Sequence, residues 1–134
     1  MTKISCVLLV EDDPVTVFIT LRAIKSLNFI QEIKVAKNAD EALEFLREKL
    51  NKNEPSPELI FLDINMPGKD GFEFLGLFNK MSFQNHDDVV ICTVTTSNHV
   101  TDIEISEKMG VDEYILKPLT KEKIQDVYQK YFLS

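Results

Sequence analysis

Five short runs rich in Val, Ile, Leu and Phe alternate with segments whose apolar residues recur at helical spacing, and this alternation limits the fold more than any other feature. The runs cover about residues 4–10, 32–36, 58–62, 89–94 and 112–116, lengths that suit strands. Near-continuous apolar strands need cover on both faces, and right-handed crossover helices supply it. The (βα)5 order therefore predicts a parallel sheet between two helical layers. The first helix is predicted to take Asp13 as N-cap and Pro14 as its first residue, with Phe18, Leu21, Ala23 and Ile24 toward the core. Asn38 or Asp40 caps the second, whose stripe is Ala39, Ala42, Leu43, Leu46 and Leu50. The third follows Pro67-Gly68-Lys69-Asp70-Gly71 and carries Phe74, Leu77, Phe78 and Met81. The fourth stops at Met109-Gly110; within it Ile103 and Ile105 stand about 200° apart, so one of them is expected near solvent. The fifth starts near Thr120 and buries Ile124, Val127, Tyr128 and Tyr131, and residues 51–57 read as a surface connection.

With 134 residues and 44% hydrophobic content, the chain is expected to form one domain over 1–134, with no output domain attached. A net charge of −7 argues against nucleic acid as a partner, because a basic face is what neutralises phosphates. No apolar stretch reaches the ~20 residues of a membrane span and no signal-peptide core precedes the first strand, so a cytoplasmic protein is expected. Cys6 and Cys92 lie inside apolar runs without metal-ligand spacing and read as reduced core thiols.

Polar residues punctuate the ends of these runs. Glu11 and Asp12 follow the first, Asp63 the third, Thr95 the fourth and Lys117-Pro118 the fifth. Side chains at the same ends of neighbouring parallel strands converge on one edge of the sheet. Close carboxylates repel by roughly 4 kcal/mol per pair at an effective dielectric near 20. The cluster therefore implies a cation besides the lysine, and oxygen ligands with room for water favour Mg2+. Asp13 reads as a helix cap, Lys69 as solvated, Thr93 as a residue that packs or hydrogen-bonds within its strand, and His86 and His99 as surface loop residues.

These residues, in this order and each at a strand's end, together with Met66-Pro67-Gly68 and Gly71, resemble the receiver domain of response regulators, the phosphoacceptor half of two-component signalling. The resemblance runs from Val7 to about Phe132. It implies the flavodoxin-like doubly wound parallel sheet of order 2-1-3-4-5. Asp63 would be the phosphoacceptor, taking a phosphoryl group from a sensor histidine kinase. Mg2+ would be held by Glu11, Asp12, Asp63 and the main-chain carbonyl of Asn65. Lys117 would pair with Asp63 and then with the phosphoryl group, Pro118 would follow a cis peptide bond, and the Thr95 hydroxyl would donate to a phosphoryl oxygen. Tyr114 matches the aromatic switch position, and Asn65 and Ser97 the positions that govern water access.

Such a protein is not an enzyme beyond its own phosphorylation and dephosphorylation. Its implied output is a change of protein partner through the face built by the fourth helix, fifth strand and fifth helix. A phosphorelay step toward a histidine phosphotransfer protein and a phosphorylation-independent binding module are the alternatives, and a homodimer is compatible with all of them. The segment Thr95-Thr96-Ser97-Asn98 and the long second helix resemble small free-standing receivers that serve bacteriophytochrome-type kinases. A flavodoxin-type carrier is disfavoured because Glu11-Asp12-Asp13-Pro14 would repel an anion. A haloacid-dehalogenase-type phosphatase would place a second aspartate where Asn65 stands.

Overall fold

The computed structural model describes every residue except Met1, Pro67, Ser97, Asn98 and Ser134. The elements alternate as β1 (Val7–Val10), α1 (Pro14–Lys25), β2 (Ile33–Ala36), α2 (Ala39–Asn51), β3 (Leu59–Leu62), α3 (Gly71–Phe78), a 3-10 turn (His86–Asp88), β4 (Val90–Thr95), α4 (Val100–Lys108), β5 (Glu113–Leu116) and α5 (Lys121–Phe132). All strand pairs are parallel and the order is β2-β1-β3-β4-β5. No described helix is long and apolar enough to cross a membrane.

Alternation along the strands divides the core in two. Leu8, Val10, Ile60, Leu62 and Ile91 point to one face, where α2 supplies Ala42, Leu43 and Leu46 and α3 supplies Phe74, Leu75 and Phe78. Val7, Leu9, Leu59, Phe61, Cys92 and Val94 point to the other, under Ile24 of α1 and Ile124, Val127 and Tyr128 of α5. Burial raises the thiol pKa of both Cys6 and Cys92, so these cysteines are inert core groups without a disulfide. The expected cap Asp13 forms, and of Asn38 and Asp40 it is Asn38 that caps α2, Asp40 lying within the helix; Asp70 and Thr120 cap α3 and α5, and each of the four caps accepts a backbone N–H of the helix that follows.

Several expectations are corrected. Phe18 is 61% exposed, because Thr20 and Ile24 define the inward line of α1 and Phe18 lies about 200° from Thr20. Ile103 and Ile105 are both half-buried: Ser106 is the buried centre of α4, and the two isoleucines flank it at about +60° and −100°. Residues 51–57 are not all surface, since α2 continues to Asn51 and Ser56 is buried, exchanging hydrogen bonds with Asn85. Met81 lies beyond α3, which ends at Phe78, and Tyr131 is only half-buried. His86 is stacked on Phe78 with 5.1 Å between ring centroids, so it is part of the packing.

Gly71 ties the fold to the strand ends. Its N–H donates to the carbonyl of Ile64 at 3.1 Å. A Cβ there would stand 2.6 Å from the Ile64 Cα and 3.0 Å from the Asp63 carbonyl oxygen, so only glycine lets α3 start this close to the end of β3. Gly71→Ala is expected to cost about 1–3 kcal/mol through this overpacking against backbone. Denaturant unfolding should show a lower midpoint with an unchanged slope.

Candidate functional site

Hydrogen bonding beyond the strands brings the acids together. The Glu11 N–H donates to the Ala36 carbonyl and the Asp63 N–H to the Val10 carbonyl, each at 3.0 Å, so both residues extend the ladder by one step. Their side chains emerge at the C-terminal edge of the sheet. Glu11 is 3% and Asp63 5% exposed, with Asp12 less covered beside them. Carboxylate oxygens of Glu11, Asp12 and Asp63 lie within 4.8 Å of one another. This all-oxygen donor set fits a hard divalent cation such as Mg2+, and the expected acids are indeed neighbours.

Lys117 reaches this cluster from the end of β5. Its Nζ stands 2.7 Å from Glu11 Oε1 and 3.1 Å from Asp63 Oδ2. The pairing with Asp63 is the expected one, whereas that with Glu11 was not foreseen. Burial pushes the Glu11 carboxyl above its ordinary value and the nearby Asp63 charge adds to this, against hydrogen bonds from Lys117 and the Asp13 N–H that pull it down. For Lys117 burial acts downward, but the Glu11 hydrogen bond and the charges of Asp63 and Glu11 outweigh it and raise the ammonium pKa. The ammonium is therefore retained throughout the neutral range, and its contribution to stability is lost only as pH rises through that raised value.

Behind the acids a polar ring closes. The Asn65 N–H donates to Asp63 Oδ1 at 3.0 Å, and its Nδ2 donates to Thr95 Oγ1 at 2.9 Å. The Lys117 N–H donates to the Thr95 carbonyl at 2.8 Å and its ammonium returns to Asp63. Thr95 is fully buried as the last residue of β4, in register with Leu116, rather than standing after that strand. The Asn65 side-chain contact is a second feature that sequence reading missed. Only the packing of β3 beside β4 brings residues thirty positions apart together.

Other candidates find their places nearby. The Lys117-Pro118 peptide is cis, as expected. Tyr114 is half-buried on β5 opposite Thr93. Asp13 caps α1 and stays outside the cluster, and Lys69 pairs with Asp40 at 2.8 Å instead of being simply solvated. Thr93 is buried with no hydrogen-bond partner for its hydroxyl among the described residues, as is Ser106 of α4. Ser97, the second water-access position, lies outside the described residues, as does Pro67 of the loop after β3.

Comparison with known proteins agrees with this fold. The chain is 30% identical to a probable C4-dicarboxylate response regulator of Halalkalibacterium halodurans, over 93% of this chain and 50% of that protein. It thus spans about half the length of this and several other curated relatives. Among solved structures, a two-component response regulator from Cytophaga hutchinsonii superposes with a TM-score of 0.85 at 30% identity, covering 98% and 99% of the two chains. The Mn(2+)-bound response regulator Rcp1 gives 0.76 at 26% identity over 97% and 95%. A phosphorylated cyanobacterial phytochrome response regulator, RcpA, gives 0.77 at 26% identity over 95% and 93%. The response regulator receiver domain model matches residues 7–129, and the chain belongs to that family.

Proposed function

We propose that Asp63 accepts a phosphoryl group from a phosphohistidine of a sensor histidine kinase. The observation that carries this reading is one buried carboxylate held between two further acids and a lysine that already contacts it. An Asp63 oxygen forms the new P–O bond as the P–N bond of the phosphohistidine breaks and the imidazole nitrogen leaves with the electron pair. Lys117 passes from the carboxylate to the incoming phosphoryl oxygens, and the Thr95 hydroxyl donates to another. Glu11, Asp12, Asp63 and the Asn65 main-chain carbonyl would hold a Mg2+, which when bound neutralises charge on the transferred group. That a similar response regulator has been solved in a Mn(2+)-bound form supports the binding of a divalent ion.

The partner readings follow from the surface. Val15, Phe18 and Ile19 of α1 are 65%, 61% and 54% exposed, and Ile19 lines a cleft with Thr16, Thr20, Lys117, Pro118 and Leu119. This apolar ridge is continuous with the phosphoacceptor edge, so it is where the kinase segment carrying the phosphohistidine docks. The phytochrome-type relative favours a kinase of that class. Output passes through α4, β5 and α5, where Val100 is 68% and Leu116 43% exposed. Thr95 and Tyr114 would relay the change to that face, in a cytoplasmic receiver.

Incubation with Mg2+ and acetyl phosphate should add roughly 80 Da to the intact mass, one phosphoryl group, and Asp63→Asn should abolish the gain. A gain that persists in the variant would assign the acceptor elsewhere. Lys117→Gln leaves the buried acids without their counter-charge and should lower stability by roughly 3 kcal/mol in chelator-treated buffer, with part of the loss recovered as Mg2+ is raised. Thermal unfolding with and without the cation measures both. Phe18→Asp should slow transfer from an autophosphorylated bacteriophytochrome kinase at least tenfold while leaving acetyl phosphate labelling unchanged.

A further inference from the structure

The side chain of Asn65 does something that neither its main-chain carbonyl nor its place two residues after Asp63 explains. Its Nδ2 donates to Thr95 Oγ1 at 2.9 Å, while its own N–H donates to Asp63 Oδ1 at 3.0 Å. Asn65 is exposed and Thr95 is fully buried. A hydroxyl has one proton and two lone pairs. With an amide N–H on one lone pair, the Thr95 proton is turned away from Asn65 and toward the remaining directions around the oxygen. The residue whose backbone already grips the acceptor carboxylate thus also restricts the direction in which the hydroxyl on the neighbouring strand donates.

We infer that the Asn65 carboxamide is a positioning residue for Thr95: it holds the hydroxyl beside Asp63 as a donor, ready for an oxygen of the phosphoryl group. The inference rests on the phosphoacceptor reading of Asp63. It concerns the side chain alone, so a substitution there leaves the main-chain carbonyl and N–H of Asn65 in place. A phosphoryl group carries the acceptor oxygens that such a donor suits. Without the amide, the Thr95 hydroxyl rotates among alternative partners and must be reoriented when the phosphoryl group arrives.

The test uses the intact chain with Mg2+ and beryllofluoride, read by the 19F signal of the bound ligand and by backbone amide spectra. Asn65→Ala should weaken beryllofluoride binding about 3- to 10-fold, the worth of one hydrogen bond. It should also reduce the ligand-induced amide shifts in residues 99–118. In a Thr95→Val background, which keeps the shape but removes the hydroxyl, the same change should alter affinity less than about twofold. An equal loss in both backgrounds would show that Asn65 acts without Thr95 and overturn the inference. Tighter binding in Asn65→Ala would overturn it too, making the contact a restraint on Thr95. Ligand-free spectra that change throughout the chain would mark Asn65 as a fold-holding residue instead, and the inference would fall. Beryllofluoride binding that survives in Asp63→Asn would bring down the acceptor reading along with it.

Discussion

Lys117 reaches Glu11 and Asp63 at once, at 2.7 and 3.1 Å, and the site edge depends on that double contact. Three acids converge here because parallel strands end side by side, and their mutual repulsion in a largely buried setting would otherwise spread the loops apart. One ammonium offsets part of that charge, and its backbone N–H on the Thr95 carbonyl fixes where it sits. A lysine suits the task better than an arginine would. It is a compact charge on a flexible stem that can leave one oxygen for another without breaking a planar two-point bond. The remaining negative charge makes the site receptive to a divalent ion.

The scaffold around the site is unevenly anchored, and this unevenness suits a signalling domain. The helices α2 and α3 bury several large side chains each, and Gly71 lets α3 begin against the Asp63–Ile64 backbone. By contrast, α4 buries only Ser106. The hydroxyls of Ser106 and of Thr93 lie buried without hydrogen-bond partners among the described residues, a cost that well-satisfied packing would avoid. A helix held by few apolar contacts opens locally at low free energy. The helix proposed to carry output is therefore also one whose resting position is weakly enforced.

Much of this was legible in the chain before any coordinates. Strand length and composition fixed the number of β-elements. Asp13-Pro14, the pair Asn38 and Asp40, and Thr120 marked helix starts to within a residue or two, because an N-cap is satisfied within its own first turn. The acids and the lysine were recognisable from their places at strand ends, since parallel strands share one direction. Contacts across the sheet were not legible in that way. Phe18 looked like core because its spacing fits an apolar stripe, yet periodicity identifies faces of a helix without saying which one meets the sheet.

The sequence by itself determined the five-fold alternation, the edge on which Glu11, Asp12, Asp63, Thr95 and Lys117 gather, and the excess of negative charge there. Each follows from local propensity, strand direction or charge, which are carried within a few residues. Tertiary structure decided that Lys117 takes Glu11 as a second partner, that the Asn65 amide reaches Thr95, that Ile103 and Ile105 share partial burial around Ser106, and that α1 turns Phe18 outward. These depend on strand register and on how deeply each helix settles against the sheet. Such quantities are set by the packing of side chains far apart in the chain, and no short window of sequence contains them.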